Sequence, residues 1–205
     1  LSSTVIGFPS LGQALGANDR VQVALVGCGG RGTQVTSSLA SRSDVVCTQL
    51  CDIHEERLVR TADFIAKQQG GRKPLLATNM EEVFANKDVD AVVVATPDHW
   101  HTPAAILACQ AGKDVYVEKP DSHNIVEGMR MVAALRKYKR VCQMGSQHRS
   151  TKRMQSALEY IKTGALGRSL VAKAWESSRQ GAIGFPKDSA APAGVNYDMW
   201  CGAAP

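Results

Sequence analysis

The stretch Arg20–Asp52, RVQVALVGCGGRGTQVTSSLASRSDVVCTQLCD, constrains the fold more than any other part of the chain. It opens with an apolar run, Val21–Val26, that reads as a buried strand, and the turn Gly27-Cys28-Gly29-Gly30-Arg31-Gly32 follows at once. A helical pattern comes next, then a second apolar run, Val45–Cys51, ending in the carboxylate of Asp52. The glycines have separate tasks. Gly27 lets the strand turn, Gly29 lets backbone approach a pyrophosphate with no Cβ between, and Gly32 lets the helix lie close to the strand. The first N–H groups of that helix lack partners within it and suit an anion. Asp52 stands 20 residues beyond Gly32, where an acid accepts hydrogen bonds from an adenosine ribose. The alternative is a glycine-rich turn with no ligand. Strand, turn, helix, second strand and terminal acid agree on a dinucleotide site.

The rest of the first 147 residues repeats the alternation. Strands are expected at Lys73–Ala77, Ala91–Ala95, Asp114–Val117 and Val141–Met144. Helices are expected at His54–Lys67, from an Asn79 N-cap to about Asn86, from Pro103 to Ala111, and at Asn124–Lys139, with Met129, Val132, Ala133 and Leu135 among the apolar positions of the last. The continuous run AVVVA is the pattern of a central strand covered on both faces. The fold class expected is α/β, a Rossmann-like doubly wound parallel sheet. The pattern then changes. A helix at Ser150–Thr163 and a strand at Ser169–Trp175 are expected, and Gln180–Pro205 has no clear period. The division expected is 1–19 as a leader remnant or linker, 20–147 as the dinucleotide-binding domain, and 148–205 as the start of an incomplete α+β second domain.

Composition excludes some functions. Of 205 residues, 44% are hydrophobic and 21% charged, which is ordinary for a globular protein. A formal charge of +5 is too mild to argue for nucleic acid, and 5% aromatic residues give no stacking platform for single strands. Residues 1–19 are too short and too broken by Gly, Pro, Ser and Gln to span a membrane. The six cysteines show no CxxC pair and read as small buried hydrophobes; Cys47 and Cys51, four apart in one strand, are expected on the same face.

Ligands of an open parallel sheet lie beyond the carboxyl ends of its strands. Four loops meet that condition: Gly27–Gly32, Thr96–His101, Glu118–Pro120 and Gly145–Arg149. Lys119 at a strand end, beside a nicotinamide, can hydrogen-bond a substrate hydroxyl and share its proton, with burial and positive neighbours lowering its pKa. Pro120 is expected to hold the chain extended. The other reading of Lys119 is an exposed lysine in a turn. Thr96 and Pro97 suit a wall beside the nicotinamide ribose. His99 and His101 are candidates for acid–base work; with only Asp98 beside them they do not make a zinc site, and no metal is expected. Asp98 is expected to cap the following helix, with His101 either touching ligand or folded over the first turn. Trp100 is a pocket lid or core. Gln147 and Arg149, with His148 between them, stand where a substrate could bridge two domains.

Together VALVGCGGRG, CD at 51–52, ATPDHWH at 95–101, YVEKP at 116–120 and GSQHRS at 145–150 resemble the glucose–fructose oxidoreductase / inositol dehydrogenase / rhizopine-catabolism (Gfo/Idh/MocA) family, from about residue 19 onward. The resemblance implies NAD, with NADP a further possibility, and oxidation or reduction of a secondary hydroxyl of a sugar, inositol or related polyol. It implies that Lys119 works near the reacting carbon and that Glu118 and Pro120 shape the nicotinamide pocket. Gly27, Cys28, Gly29, Gly30, Arg31, Gly32, Asp52, Thr96, Pro97 and His101 would complete the cofactor site. Asp52 would favour NAD by repelling a 2′-phosphate, while Arg31 and His54 keep NADP open. Asp121 departs from the family's small or apolar residue after EKP. The family's second-domain Asp and His are not found before Pro205, so the chain is expected to be the N-terminal part of an enzyme and inactive alone. Two other readings stay open: glycoside cleavage through transient oxidation, and a dinucleotide-binding module without catalysis. The resemblance also implies a homo-oligomer formed through the second domain. Residues 1–19 look like the end of an export leader, implying a periplasmic or exported protein, with the cytoplasm as the alternative.

Overall fold

The structure, a computed structural model, describes residues 20–175, 181–182 and 184–202. The expectations for residues 1–19 lie outside the described residues. The chain runs β1 (Val21–Val26), α1 (Gly30–Ala40), β2 (Val45–Cys51), α2 (Glu55–Gln68), β3 (Leu75–Ala77), α3 (Met80–Ala85), β4 (Ala91–Val94), α4 (Asp98–Gln110), β5 (Asp114–Glu118), α5 (Ile125–Tyr138) and β6 (Cys142–Gly145). The six strands form one sheet in the order β3-β2-β1-β4-β5-β6, every pairing parallel. Strand order reverses between β1 and β4, and that switch point is where such sheets bind ligands.

Two apolar layers sandwich the sheet. Leu58, Ala62 and Ile65 of α2 and Ala40 of α1 meet Val23, Leu25, Leu50 and Val93 on one face. Val83 and Phe84 of α3, Ala104, Ala105 and Ala108 of α4, and Met131 of α5 meet Ala24, Val26, Val92 and Val94 on the other. Burial on both faces explains why β4 is a continuous apolar run rather than an alternating one. Asn79 and Asn124 cap α3 and α5 by accepting from the N–H of Glu81 and Glu127.

Several expectations are corrected. Register shifts between Val23 and Ala24, whose partners are Cys47 and Gln49, so Thr48 is an extra residue in β2. A one-residue insertion reverses side-chain alternation. Cys47 therefore joins the α1/α2 layer and Cys51 the α3/α4/α5 layer, not the same face. Helix α4 begins at Asp98, five residues before Pro103, with Pro97 as its N-cap and no side-chain cap bond. Asp98 is not the cap; it sits in the first turn, where a negative charge suits the dipole. Pro103 lies inside the helix. It is tolerated early in α4 at the loss of one helical bond. On α5 the buried residues are Met131 and Ala134, while Met129, Val132 and Ala133 are exposed.

Beyond β6, helix α6 (Lys152–Lys162) buries no residue. Residues 169–175 form no strand; they are exposed, and none of the strand pairings includes them. A segment with strand-like alternation still needs a neighbour for its backbone groups. The short helix α7 (Tyr197–Cys201), capped by Asn196, falls where no period was legible. Among the described residues no helix is long and apolar enough to cross a membrane.

Candidate functional site

The loop after β1 holds the centre of the carboxyl edge. Gly27 has φ +99°, and a Cβ there would lie 2.5 Å from the Ala95 carbonyl oxygen. A Cβ on Gly32 would lie 2.0 Å from the Gly27 oxygen, so α1 can approach β1 only through glycine. Gly29 and Gly30 differ: a Cβ on either would meet nothing within 4 Å. Their backbone faces open space, and Gly29 opens α1 with no side chain capping its N–H groups. Open backbone at an uncapped helix start has the geometry and dipole that suit an anion.

Asp52 is buried at the end of β2. One carboxylate oxygen accepts from the Cys28 N–H at 2.5 Å and the other from the His54 N–H at 2.8 Å. Cys28 therefore spends its amide on Asp52 rather than offering it to a ligand. Its thiol is fully buried; desolvation, with the Asp52 charge adding to it, holds the thiol far above the ordinary value. Cys28 is a spacer that ties the glycine loop to the acid.

Two cavities flank the glycine loop. The first, about 490 Å³, is lined by Gly27, Gly29, Asp52, Ile53, His54 and Thr96, with Trp100 and Trp200 among its other walls. The second, about 310 Å³, is lined by Arg31, Thr96, Asp98, His101, Glu118, Lys119 and Gln147. Thr96 borders both.

In the second cavity Glu118 ends β5 and is buried, with a carboxylate oxygen 2.8 Å from an Arg31 guanidinium nitrogen. Its other oxygen accepts from the Gln147 amide at 2.9 Å. The bond to Glu118 pushes Arg31 above its already high pKa. The glycine loop, the end of β5 and the segment after β6 are thus joined through one carboxylate. Gly145 pairs with Glu118 in the sheet, and a Cβ on it would meet a Glu118 carboxylate oxygen at 2.6 Å.

His101 is almost completely buried. Its Nδ1 faces the Pro120 carbonyl, and its Nε2 lies 2.9 Å from the Thr96 carbonyl oxygen. Each ring nitrogen faces a backbone carbonyl and the protonated one donates, so the buried ring packs the β4–α4 loop against the loop after β5. Lys119 is exposed at the mouth of the second cavity, without the burial expected of it. The chain bends at residues 119–121 directly after β5, so Pro120 does not hold it extended; the Lys119–Pro120 peptide bond is cis. Trp100 is half-buried; it lines the first cavity and also packs against the core. Pro97 lines the first cavity, not the second. Arg149 is exposed and lines neither cavity. Among the described residues no three His, Cys, Asp or Glu side chains are grouped to hold a metal ion.

The fit of a dinucleotide is visible in what lacks a partner. Thr96 Oγ1 and His54 Nδ1 are buried without a hydrogen-bond partner, and both residues line the first cavity. Gly29 lines the first cavity, and a Cβ on Gly29 or Gly30 would meet no neighbour. Orphaned donors and acceptors around a preformed concavity are what a bound polar ligand satisfies. Sequence reasoning missed Tyr197, Met199 and Trp200, although Asn196 ahead of two aromatic residues was the signal of a capped turn carrying them.

Residues 21–146 match the family model described as "Oxidoreductase family, NAD-binding Rossmann fold", Gfo/Idh/MocA. A glycosyl hydrolase family 109 protein of Saccharopolyspora erythraea is 32% identical over 140 residues, 66% of this chain and 30% of that protein. One of Shewanella baltica is 26% identical over 155 residues, 74% of this chain and 34% of that protein. Among solved structures, the WlbA dehydrogenase of Bordetella pertussis, crystallised with NADH and UDP-GlcNAcA, superposes with a TM-score of 0.64 at 27% identity, covering 73% of this chain and 44% of that one. The chain thus spans about a third of the length of the curated relatives it matches.

Proposed function

We propose, from the premise that this chain belongs to the Gfo/Idh/MocA oxidoreductase family with its NAD-binding Rossmann fold, that it forms the cofactor half of an enzyme acting on a secondary hydroxyl of a sugar, inositol or related polyol. The observation that carries this reading is the pair of cavities on either side of one glycine loop, with Asp52 in the first and Lys119 in the second. The first cavity would hold the adenosine end of a dinucleotide, Gly29 and Gly30 its pyrophosphate, and the second cavity its nicotinamide end. NAD supplies the two-electron acceptor for the carbinol C–H. Asp52 receives the ribose hydroxyls on its remaining lone pairs and repels a 2′-phosphate, which favours NAD over NADP. Arg31, Glu118 and Gln147 fix the loop from which Lys119 reaches outward. Lys119 would hydrogen-bond the substrate oxygen and, as the neutral amine, take its hydroxyl proton while hydride passes from the carbinol carbon to NAD. Being exposed, it gains a dry environment only when substrate and the substrate-binding domain cover it.

The test is Lys119→Ala in the full-length enzyme. General acid–base assistance contributes about 10²–10⁴-fold, so turnover should fall by at least ~10²-fold. NAD affinity should be unchanged. Undiminished turnover would remove Lys119 from the mechanism. A second reading is supported by the curated relatives being glycosyl hydrolase family 109 proteins. It is glycoside cleavage in which the cofactor is reduced and reoxidised within one turnover. Accumulation of NADH with a polyol supports the dehydrogenase; sugar release with no net NADH supports the hydrolase.

A further inference from the structure

Residues 192–202 return to the carboxyl edge of the sheet and cross the first cavity. Val195 bridges His54 as a short antiparallel pair. The Gly194 carbonyl accepts from the Glu55 N–H at 3.2 Å, and the Asn196 N–H donates to the Ile53 carbonyl at 3.1 Å. On the far side of the cavity the Trp100 indole N–H donates to the Met199 carbonyl at 2.9 Å, and His99 Nε2 lies 2.8 Å from the Trp200 carbonyl oxygen. Met199 itself packs into the core layer beneath α4. The segment is therefore anchored to the loop after β2 and to α4, the two banks of the cavity, and spans the gap between them.

What it carries across is aromatic. Tyr197 and Trp200 stack with ring centroids 5.8 Å apart and planes 10° from parallel, and His99 meets Trp200 edge-on at 6.0 Å. Both rings line the cavity while remaining exposed on their other side. Their wall stands beside Asp52, Ile53 and Thr96, where a dinucleotide places its adenosine.

We propose that residues 192–202 are a strap over the adenosine half of the site, that Trp200 and Tyr197 form the wall a purine packs against, and that release of the strap sets how fast the cofactor leaves. The proposal rests on the dinucleotide reading above. Physically, a purine presents two apolar faces and a polar rim. The cavity offers apolar side chains, Val26, Met80 and Pro97, on the domain and aromatic rings on the strap. The ribose meets Asp52. A ligand so flanked leaves faster when the anchors on one bank open together.

Gly202 supplies a way to disturb the strap while keeping every ring of the cavity. It has φ +56°, and a Cβ there would lie 2.4 Å from the Trp100 ring. The strap passes that ring with no room for a side chain.

The experiment measures dissociation of NAD by stopped-flow, and equilibrium binding of ADP and of nicotinamide mononucleotide, in the full-length protein and three variants. A base stacked on an aromatic side chain loses roughly ten-fold in affinity when the ring is removed. Trp200→Ala should release NAD about ten-fold faster and weaken ADP by a similar factor, leaving nicotinamide mononucleotide unchanged; Trp200→Phe should restore most of the loss. Gly202→Ala should also speed NAD release, although every ring that lines the cavity is retained. Unaltered NAD release in both Trp200→Ala and Gly202→Ala overturns the strap. Equal weakening of ADP and nicotinamide mononucleotide overturns its restriction to the adenosine half. A wild-type protein that binds neither NAD nor ADP overturns the dinucleotide reading, and the strap with it.

Discussion

Gly32 shows how one hydrogen atom in place of a methyl decides a site. Its Cβ position overlaps the Gly27 carbonyl oxygen at 2.0 Å, with Leu25 Cδ1 and Ala95 Cβ at 3.0 and 3.2 Å. Backbone cannot yield there without moving the phosphate cradle. Gly32→Ala should lower stability by roughly 2–3 kcal/mol, the scale of an overpacked core, and weaken NAD binding more than that change alone explains. Urea unfolding and NAD titration read the two effects separately; a stable, NAD-binding Gly32→Ala protein would contradict the geometry. The need for glycine at positions 27 and 32 was legible from spacing, because each follows from where a Cβ would fall. The spent amide of Cys28 was not, since it depends on which Asp52 oxygen turns toward the loop. His101 was legible as a site residue, but its two carbonyl partners were not, because Pro120 approaches it from 19 residues away.

Strand β2 carries the consequence of a single extra residue. The bulge at Thr48 sends Cys47 and Cys51 into opposite layers, where desolvation pushes each thiol up to about 12 from 9.0. A group whose folded pKa is raised stabilises the fold fully below its unfolded value and loses that contribution as pH rises toward the folded value. The window here runs from about pH 9 to about pH 12. The urea midpoint should fall through this range, and Cys47→Ala should flatten the slope; an equally steep fall in Cys47→Ala would assign it to other groups. The alternation of elements was plain in the sequence because apolar runs and glycine stops recur. The bulge left no mark in the composition, and its partner register is set by β1. The start of α4 was misplaced because proline favours first-turn positions, whereas here Pro97 and Asp98 open the helix and Pro103 is absorbed within it.

Across the whole molecule, the two cavities share Ala95 and Thr96 on one edge of the sheet, and a ligand that binds only the folded chain stabilises it. NAD at about a hundred times its Kd should add about 2.7 kcal/mol and raise the melting temperature by several degrees. A melting temperature indifferent to NAD would count against the site. The segment beyond Gly145 was the least legible part, for a physical reason. Helix α6 buries nothing among the described residues, and residues 192–202 gain their order from contacts with loops far back in the chain rather than from any period of their own. The bridge between His54 and Val195 also has a consequence in time. The partners lie 195 − 54 = 141 residues apart, and a ribosome adding about 5–20 residues per second needs roughly 7–28 s to make the second after the first. Strands β3 to β6 are made within that interval, so the completed sheet edge stands uncovered for its last 195 − 145 = 50 residues, roughly 2.5–10 s. A nucleotide that fits this edge would meet it open in that time, before residues 192–202 cross it.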